Sequence, residues 1–233
     1  MGRAGRIDTL FLDAGGVLVF PNWTRISATL ARHGVSVAAE ALAAADPLAR
    51  RTLDLQPESA ARTDAERGWR YFDLILAHAK LPMSDATDAA FAELRDYHRQ
   101  RNLWELVPPD VPDALARLRA LGVRMVVVSN ANGTLCAHFD RLGLTRHFDH
   151  VFDSQDFGVE KPDPRLFRIA LDRAGARPET TVHVGDLYSV DVMGARAAGL
   201  GAILFDAADL YPDHDCERVR SLDDLADRLG PRA

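Results

Sequence analysis

The sequence predicts an α/β protein: a parallel sheet crossed by helices, with an all-helical segment inserted near its start. Three observations carry this reading. From Val111 onward, short apolar runs alternate with segments of helical spacing, the pattern of repeated crossover units around a parallel sheet. Between Phe20 and about Val107, strand-like runs vanish and helix formers dominate. One strand, Leu10-Phe11-Leu12, precedes that insertion and stops at Asp13. With 233 residues, 47% of them hydrophobic, the chain can bury the core of one domain that carries an insertion.

The elements follow in order. After Asp13 comes Ala14-Gly15-Gly16-Val17-Leu18, a loop too small to cover a carboxylate. The helical insertion, residues 20–106, begins directly after it. Inside it the Ala-rich stretch Val37 to Ala45 reads as a helix. Trp69, Phe72, Leu76 and Ala79 share one helix face, and Ala90, Leu94 and Tyr97 share another. Pro108-Pro109 forms a stiff joint back to the sheet domain, which comprises residues 1–19 and 107–233. Pro112 opens a helix with Leu115, Leu118 and Leu121 at helical spacing, and Gly122 ends it. Met125 to Val128 form a buried strand. A helix is expected from near Asn132 to Leu142, stopped by Gly143, before a short strand around Val151-Phe152. The remaining units are a helix from Pro164 to Ala174, a strand from Thr181 to Val184, a helix to about Ala198, a strand from Ala202 to Phe205 and a closing helix from Ser221 to Leu229.

Composition narrows the function. The net charge of −6 and the absence of a Lys/Arg cluster argue against a nucleic-acid surface. Cys136 and Cys216 lie far apart, which indicates neither a disulfide framework nor a cysteine zinc site and fits a reducing cytoplasm. Arg3 and Arg6 precede no long apolar stretch, and no run of about eighteen apolar residues occurs. Neither a signal peptide nor a membrane span is therefore expected.

Four polar stations occur in order: Asp13; Ser129-Asn130 after Val126-Val127-Val128; Lys161 in Glu160-Lys161-Pro162-Asp163-Pro164; and Gly185-Asp186, with Asp191, after Thr181 to Val184. The reading places all four just beyond the carboxyl ends of strands, where open parallel sheets bind ligands. Together they read as an acidic, cation-dependent phosphoryl site. Of 28 basic residues only Lys80 and Lys161 are lysines. An ammonium kept where arginine is the habit indicates that a compact charge is needed at Lys161.

In this order, with helices filling the gap after the first station, these residues resemble the motifs of the haloacid dehalogenase superfamily, specifically the branch with a helical cap inserted after the first strand. The resemblance implies a Rossmann-like core with the cap over its active site. It implies an aspartyl-phosphate on Asp13, a phosphoryl oxygen held by the Ser129 hydroxyl with the backbone N–H groups of Asn130 and Ala131, and a positive charge from Lys161. Mg²⁺ would be held by Asp13, Asp186 and the backbone carbonyl of Gly15, and Asp191 would either bind it through water or orient Lys161. The implied partner is a small phosphorylated metabolite, and the chain would act as a monomer or homodimer.

The pattern breaks at Gly15, where phosphatases of that family carry a second Asp that protonates the leaving alcohol and activates water. Losing such an acid and base costs about 10² to 10⁴ in rate. Gly15 therefore points to a leaving group that needs little protonation, such as an acyl phosphate or phosphoanhydride, or to an acid recruited from elsewhere. Two alternatives remain open: a catalytically weak or inactive member that binds a phosphometabolite or a protein, and a 2-haloacid dehalogenase or phosphonate hydrolase, the latter with Lys80 as a Schiff-base partner. His183 reads as a buried structural histidine, because alternation keeps it within its strand. His33, His78 and His98 form no metal spacing. Asn22 and Trp23 are candidates for substrate contact, Trp23 equally for packing.

Overall fold

The computed structural model describes residues 7–56 and 63–230, so Arg3 and Arg6 lie outside the described residues. The chain divides into two compact units, Met1–Val19 with Val107–Ala233, and Phe20–Leu106. In the second unit polar caps start the first, third and fourth helices while the second follows Ala38 without one, and an apolar stripe on each helix holds them together. Asn22 caps α1 (Trp23–Arg32) by accepting the Arg25 N–H at 2.9 Å. A Thr63–Glu66 capping box opens α3 (Asp64–His78), and Ser84 with Thr87 opens α4 (Asp85–Arg101). Between α1 and α3 lies α2 (Ala39–Asp54), which runs past the Ala-rich stretch and through Pro47. It extends that far because Leu42, Ala45, Ala49 and Leu53 continue one buried face.

Phe72, Leu76, Ala90 and Leu94 are buried together with Trp23, Ile26 and Leu30, and Trp69 and Tyr97 pack at the margin. The unit's two ends are tied together. Phe20 and Leu106 form an antiparallel bridge with N–H···O distances of 2.8 and 3.0 Å. Beside it, Glu105 accepts hydrogen bonds from Asn22 Nδ2 and Arg25 Nε at 2.9 Å each and from the Tyr97 hydroxyl. Asn22 and Trp23, candidates for substrate contact, are thus employed in capping and packing. Lys80 is exposed just beyond α3, without the apolar surroundings that activate a Schiff-base amine.

In the first unit the apolar runs become parallel strands buried on both faces. They are β1 (Thr9–Leu12), β2 (Arg124–Ser129), β3 (His150–Asp153), β4 (Thr181–Gly185) and β5 (Gly201–Phe205). A further strand, β6 (Glu217–Val219), pairs with Ile203–Phe205. The sequence does not announce it, because its three residues include two charges and only tertiary pairing makes it a strand. The order is β3-β2-β1-β4-β5-β6, with every neighbouring pair parallel. Strand order reverses between β1 and β4, so their C-terminal ends open a crevice there.

The connecting helices are α5 (Val111–Ala120), α6 (Leu135–Leu142), α7 (Pro164–Ala174) and α8 (Met193–Ala197), and α9 (Leu222–Leu229) closes the unit. Helix α6 starts at Leu135 rather than near Asn132, because Gly133 takes a left-handed φ of 83° and the Asp153 carboxylate accepts the N–H groups of Gly133 and Leu135. A π-helical turn, Tyr188–Val192, precedes the short α8. Phe11, Val126, Val128, Leu166 and Phe167 fill the core between the sheet and α7. Each such side chain contributes about 1.5–3 kcal/mol on burial.

Candidate active site

Asp13 follows the last residue of β1, and its N–H donates to the Val184 carbonyl of β4 at 2.9 Å, which anchors it at the crevice. Its Oδ1 accepts the Ala14 N–H at 2.8 Å and lies 2.8 Å from Lys161 Nζ. Oδ2 accepts no hydrogen bond among the described residues. In the turn behind it, the N–H groups of Leu18 and Val19 both bond the Ala14 carbonyl, and Gly16 N–H bonds the Val19 carbonyl. The Gly15 carbonyl receives none of these. Gly16 has a left-handed φ of 82°, whereas Gly15 sits in a β-bridge with Val19. The missing side chain at Gly15 is therefore not forced by the backbone.

Lys161 stands farther from its strand than the sequence reading placed it, beyond β3 and the 3₁₀ turn Ser154–Asp156, in the loop before α7. The side chain of Asn130 holds it there. Asn130 Oδ1 accepts the Lys161 N–H at 2.7 Å, and Asn130 Nδ2 donates to the Lys161 carbonyl at 3.0 Å. This two-point amide clamp joins the end of β2 to the lysine loop. Only 1% of the Lys161 side chain is exposed, and Nζ contacts Asp191 Oδ1 at 2.7 Å as well as Asp13. Burial alone would favour the neutral amine, but the two carboxylates outweigh it and hold the pKa above the ordinary lysine value.

Asp191 is equally enclosed. Its Oδ1 accepts from Lys161 and lies 2.9 Å from His183 Nε2, and its Oδ2 accepts the Leu187 N–H at 3.0 Å. Burial pushes its pKa up, but the Lys161 charge and the His183 hydrogen bond dominate and hold it well below the carboxylate range. Asp191 is therefore an anion, and its contacts orient Lys161. Gly185 makes this packing possible, since a Cβ there would lie 2.2 Å from Asp191 Cγ.

Asp186, 6% exposed, follows β4. One carboxylate oxygen from each of Asp13, Asp186 and Asp191 can be chosen so that all lie within 4.8 Å of one another. Hard oxygen donors so gathered fit a cation such as Mg²⁺. Protein donors engage both carboxylate oxygens of Asp191.

Ser129, the last residue of β2, is 4% exposed, and its Oγ donates to the Asn130 carbonyl at 3.4 Å. The Ala131 N–H, expected to face a phosphoryl oxygen, instead donates to Ser154 Oγ at 3.2 Å. The sequence reading missed Ser154, the clamping side chain of Asn130 and the contact of His183 with Asp191. Only His183 carried a usable signal: it stands two residues before Gly185, hence on the same strand face as the space that Asp191 fills.

A family model for haloacid dehalogenase-like hydrolases matches residues 7–199. Haloacid dehalogenase-like hydrolase domain-containing protein 3 of Mus musculus is 44% identical over 86 residues, 37% of this chain and 34% of that protein. The matched segment thus spans about a third of that relative. A glyceraldehyde 3-phosphate phosphatase of Methanopyrus kandleri is 30% identical over 173 residues, 69% of this chain and 72% of that protein. Among solved structures, the magnesium-bound HAD-hydrolase YfnB of Bacillus subtilis shares the fold with a TM-score of 0.68 at 19% identity, covering 97% of this chain and all of that one.

Proposed function

This chain belongs to the haloacid dehalogenase-like hydrolase family, and from that premise we propose that it is a Mg²⁺-dependent phosphatase or phosphotransferase acting on a small phosphorylated metabolite. Residues 1–19 and 107–233 serve as its catalytic core, and residues 20–106 serve as the cap that selects the substrate. The observation that carries the reading is Asp13, held through Oδ1 by Lys161 and the Ala14 N–H while Oδ2 is left open. A carboxylate so fixed is a positioned nucleophile.

Oδ2 attacks phosphorus, and as the new P–O bond forms the bond to the leaving oxygen breaks and its electron pair departs with that oxygen. Water, or an acceptor hydroxyl, then attacks the phosphorus of the aspartyl-phosphate, the P–Oδ2 bond breaks with its electron pair returning to Asp13, and the proton of the attacking group passes to solvent. Lys161 stays charged throughout and offsets the negative charge gathered around Asp13. Ser129 donates its hydroxyl to a phosphoryl oxygen with the Asn130 N–H. Asp13, Asp186 and the Gly15 carbonyl would hold Mg²⁺, which when bound supplies the positive charge that lets a carboxylate approach an anionic phosphoryl group.

With no carboxylic acid at residue 15, substrates whose leaving group departs unprotonated suit the site best, namely acyl phosphates and phosphoanhydrides. A phosphate-release screen over esters, acyl phosphates and anhydrides, with and without Mg²⁺, tests the reading. Metal-dependent turnover is expected in the wild type and its loss in Asp13→Asn. A wild type inert on all three classes would favour a binding protein instead.

A further inference from the structure

His183 occupies the middle of β4 with none of its surface exposed, and the edge of its ring faces Phe167 at a centroid distance of 4.9 Å. An imidazole in such a place costs free energy unless its polar atoms are employed. One is employed and one is not: Nε2 lies 2.9 Å from Asp191 Oδ1, while Nδ1 is buried with no hydrogen-bond partner. An ionised carboxylate can only accept, so Nε2 carries a proton. The strand thus tolerates an orphaned ring nitrogen, at a cost of about 1–3 kcal/mol, while placing one N–H on one oxygen. An apolar side chain of similar size would fill the same volume without that cost.

The recipient oxygen is the one that faces Lys161 Nζ at 2.7 Å. Without His183, the Asp191 carboxylate would be fixed by the Leu187 N–H on Oδ2 and, on Oδ1, only by the lysine it is meant to position. It could then turn about its Cβ–Cγ bond and carry Nζ with it. With His183 present, each carboxylate oxygen has an anchor built into the fold. We propose that His183 is a positioning residue, whose Nε2–H sets the plane of the Asp191 carboxylate so that Asp191 holds the Lys161 amine against Asp13.

The effect on turnover rests on the reading of Asp13 as nucleophile, and the test separates the two. His183→Met keeps the bulk and removes the donor; His183→Gln restores an N–H at about the reach of Nε2. With acetyl phosphate and p-nitrophenyl phosphate as probes, and rates corrected for folded fraction, His183→Met is expected to lower kcat about 10- to 100-fold, the range found when supporting hydrogen bonds to site residues are removed. KM should change little, and His183→Gln should recover most of the loss. A His183→Met enzyme with wild-type kcat, or a His183→Gln enzyme as slow as His183→Met, would overturn the proposal.

The wild-type ring gives a second readout that needs neither turnover nor a folded variant. Long-range ¹H–¹⁵N spectra should show Nε2 protonated, and a ring protonated on Nδ1 alone would overturn the proposal by itself. A wild type inert on both probes but with Nε2 protonated counts against the functional reading and leaves the His183–Asp191 arrangement supported.

Discussion

Taking a carboxylate and an ammonium out of water costs several kcal/mol per ion, and the cost is recovered only when the remaining lone pairs and protons find partners. Asp191 meets that demand with three N–H donors, and Lys161 meets it with two carboxylates. Among the described residues Asp13 is satisfied on one oxygen only, which suits the nucleophilic role proposed for it. The same reasoning bears on Gly15, whose backbone does not take the left-handed conformation of Gly16. Gly15→Asp is expected to speed the release of the leaving group from poor-leaving-group esters by about 10-fold or more, with little change in that step for acyl phosphates, because only the former need a proton donor there. Single-turnover rates of leaving-group release from a matched ester and acyl phosphate decide it, and an equal change on both would contradict this account of residue 15. Asp13 and Asp186 stand out in the sequence because each follows a short apolar run, and Lys161 because the chain has only one other lysine. The parts played by Asn130 and Ser154 are not legible there, since each depends on a partner distant in the chain.

At the scale of elements, the end of β4 and the π turn after it act as one piece. Gly185 lacks the Cβ that would collide with Asp191, and Gly194 lies where a Cβ would come within 2.9 Å of both Phe167 and the Pro162 carbonyl. The strand, the turn, α7 and the lysine loop are therefore fitted together through two bare backbone positions. Gly185→Ala should destabilise the protein by about 1–3 kcal/mol, the usual cost of overpacking, and should also lower kcat, because the atom displaced is the Asp191 carboxylate. Denaturant melts with parallel kinetics test this, and an enzyme that loses stability but keeps its kcat would show that Asp191 tolerates the shift. Strands β1, β2, β4 and β5 and helices α5, α7 and α9 are legible because apolar period and punctuation agree. The start of α6 and the whole of β6 are not, since a buried Asp153 and a neighbouring strand define them.

At the scale of the whole molecule, each unit has its own core. The helical unit buries Ile26, Leu42, Phe72 and Leu94 together and ties its first and last residues by the Phe20–Leu106 bridge and the Glu105 hydrogen bonds. A chain closed at its ends around a core behaves as a folding unit. The fragment 20–106 expressed alone is expected to give a helical circular dichroism spectrum and a single cooperative melt, and a broad, non-cooperative transition would contradict this. The division is readable from the change of period at Phe20 and Val107, whereas the closure is not, because nothing in the sequence pairs Asn22 and Tyr97 with Glu105.

The brevity of β6 has a consequence beyond the fold. The outer rim of any sheet carries unsatisfied backbone donors and acceptors that can template a strand from another molecule. Here that rim is three residues long, two of them the oppositely charged Glu217 and Arg218. So short and well hydrated a ledge gives an incoming chain little to zip along, and growth into fibrils from this side of the molecule is disfavoured.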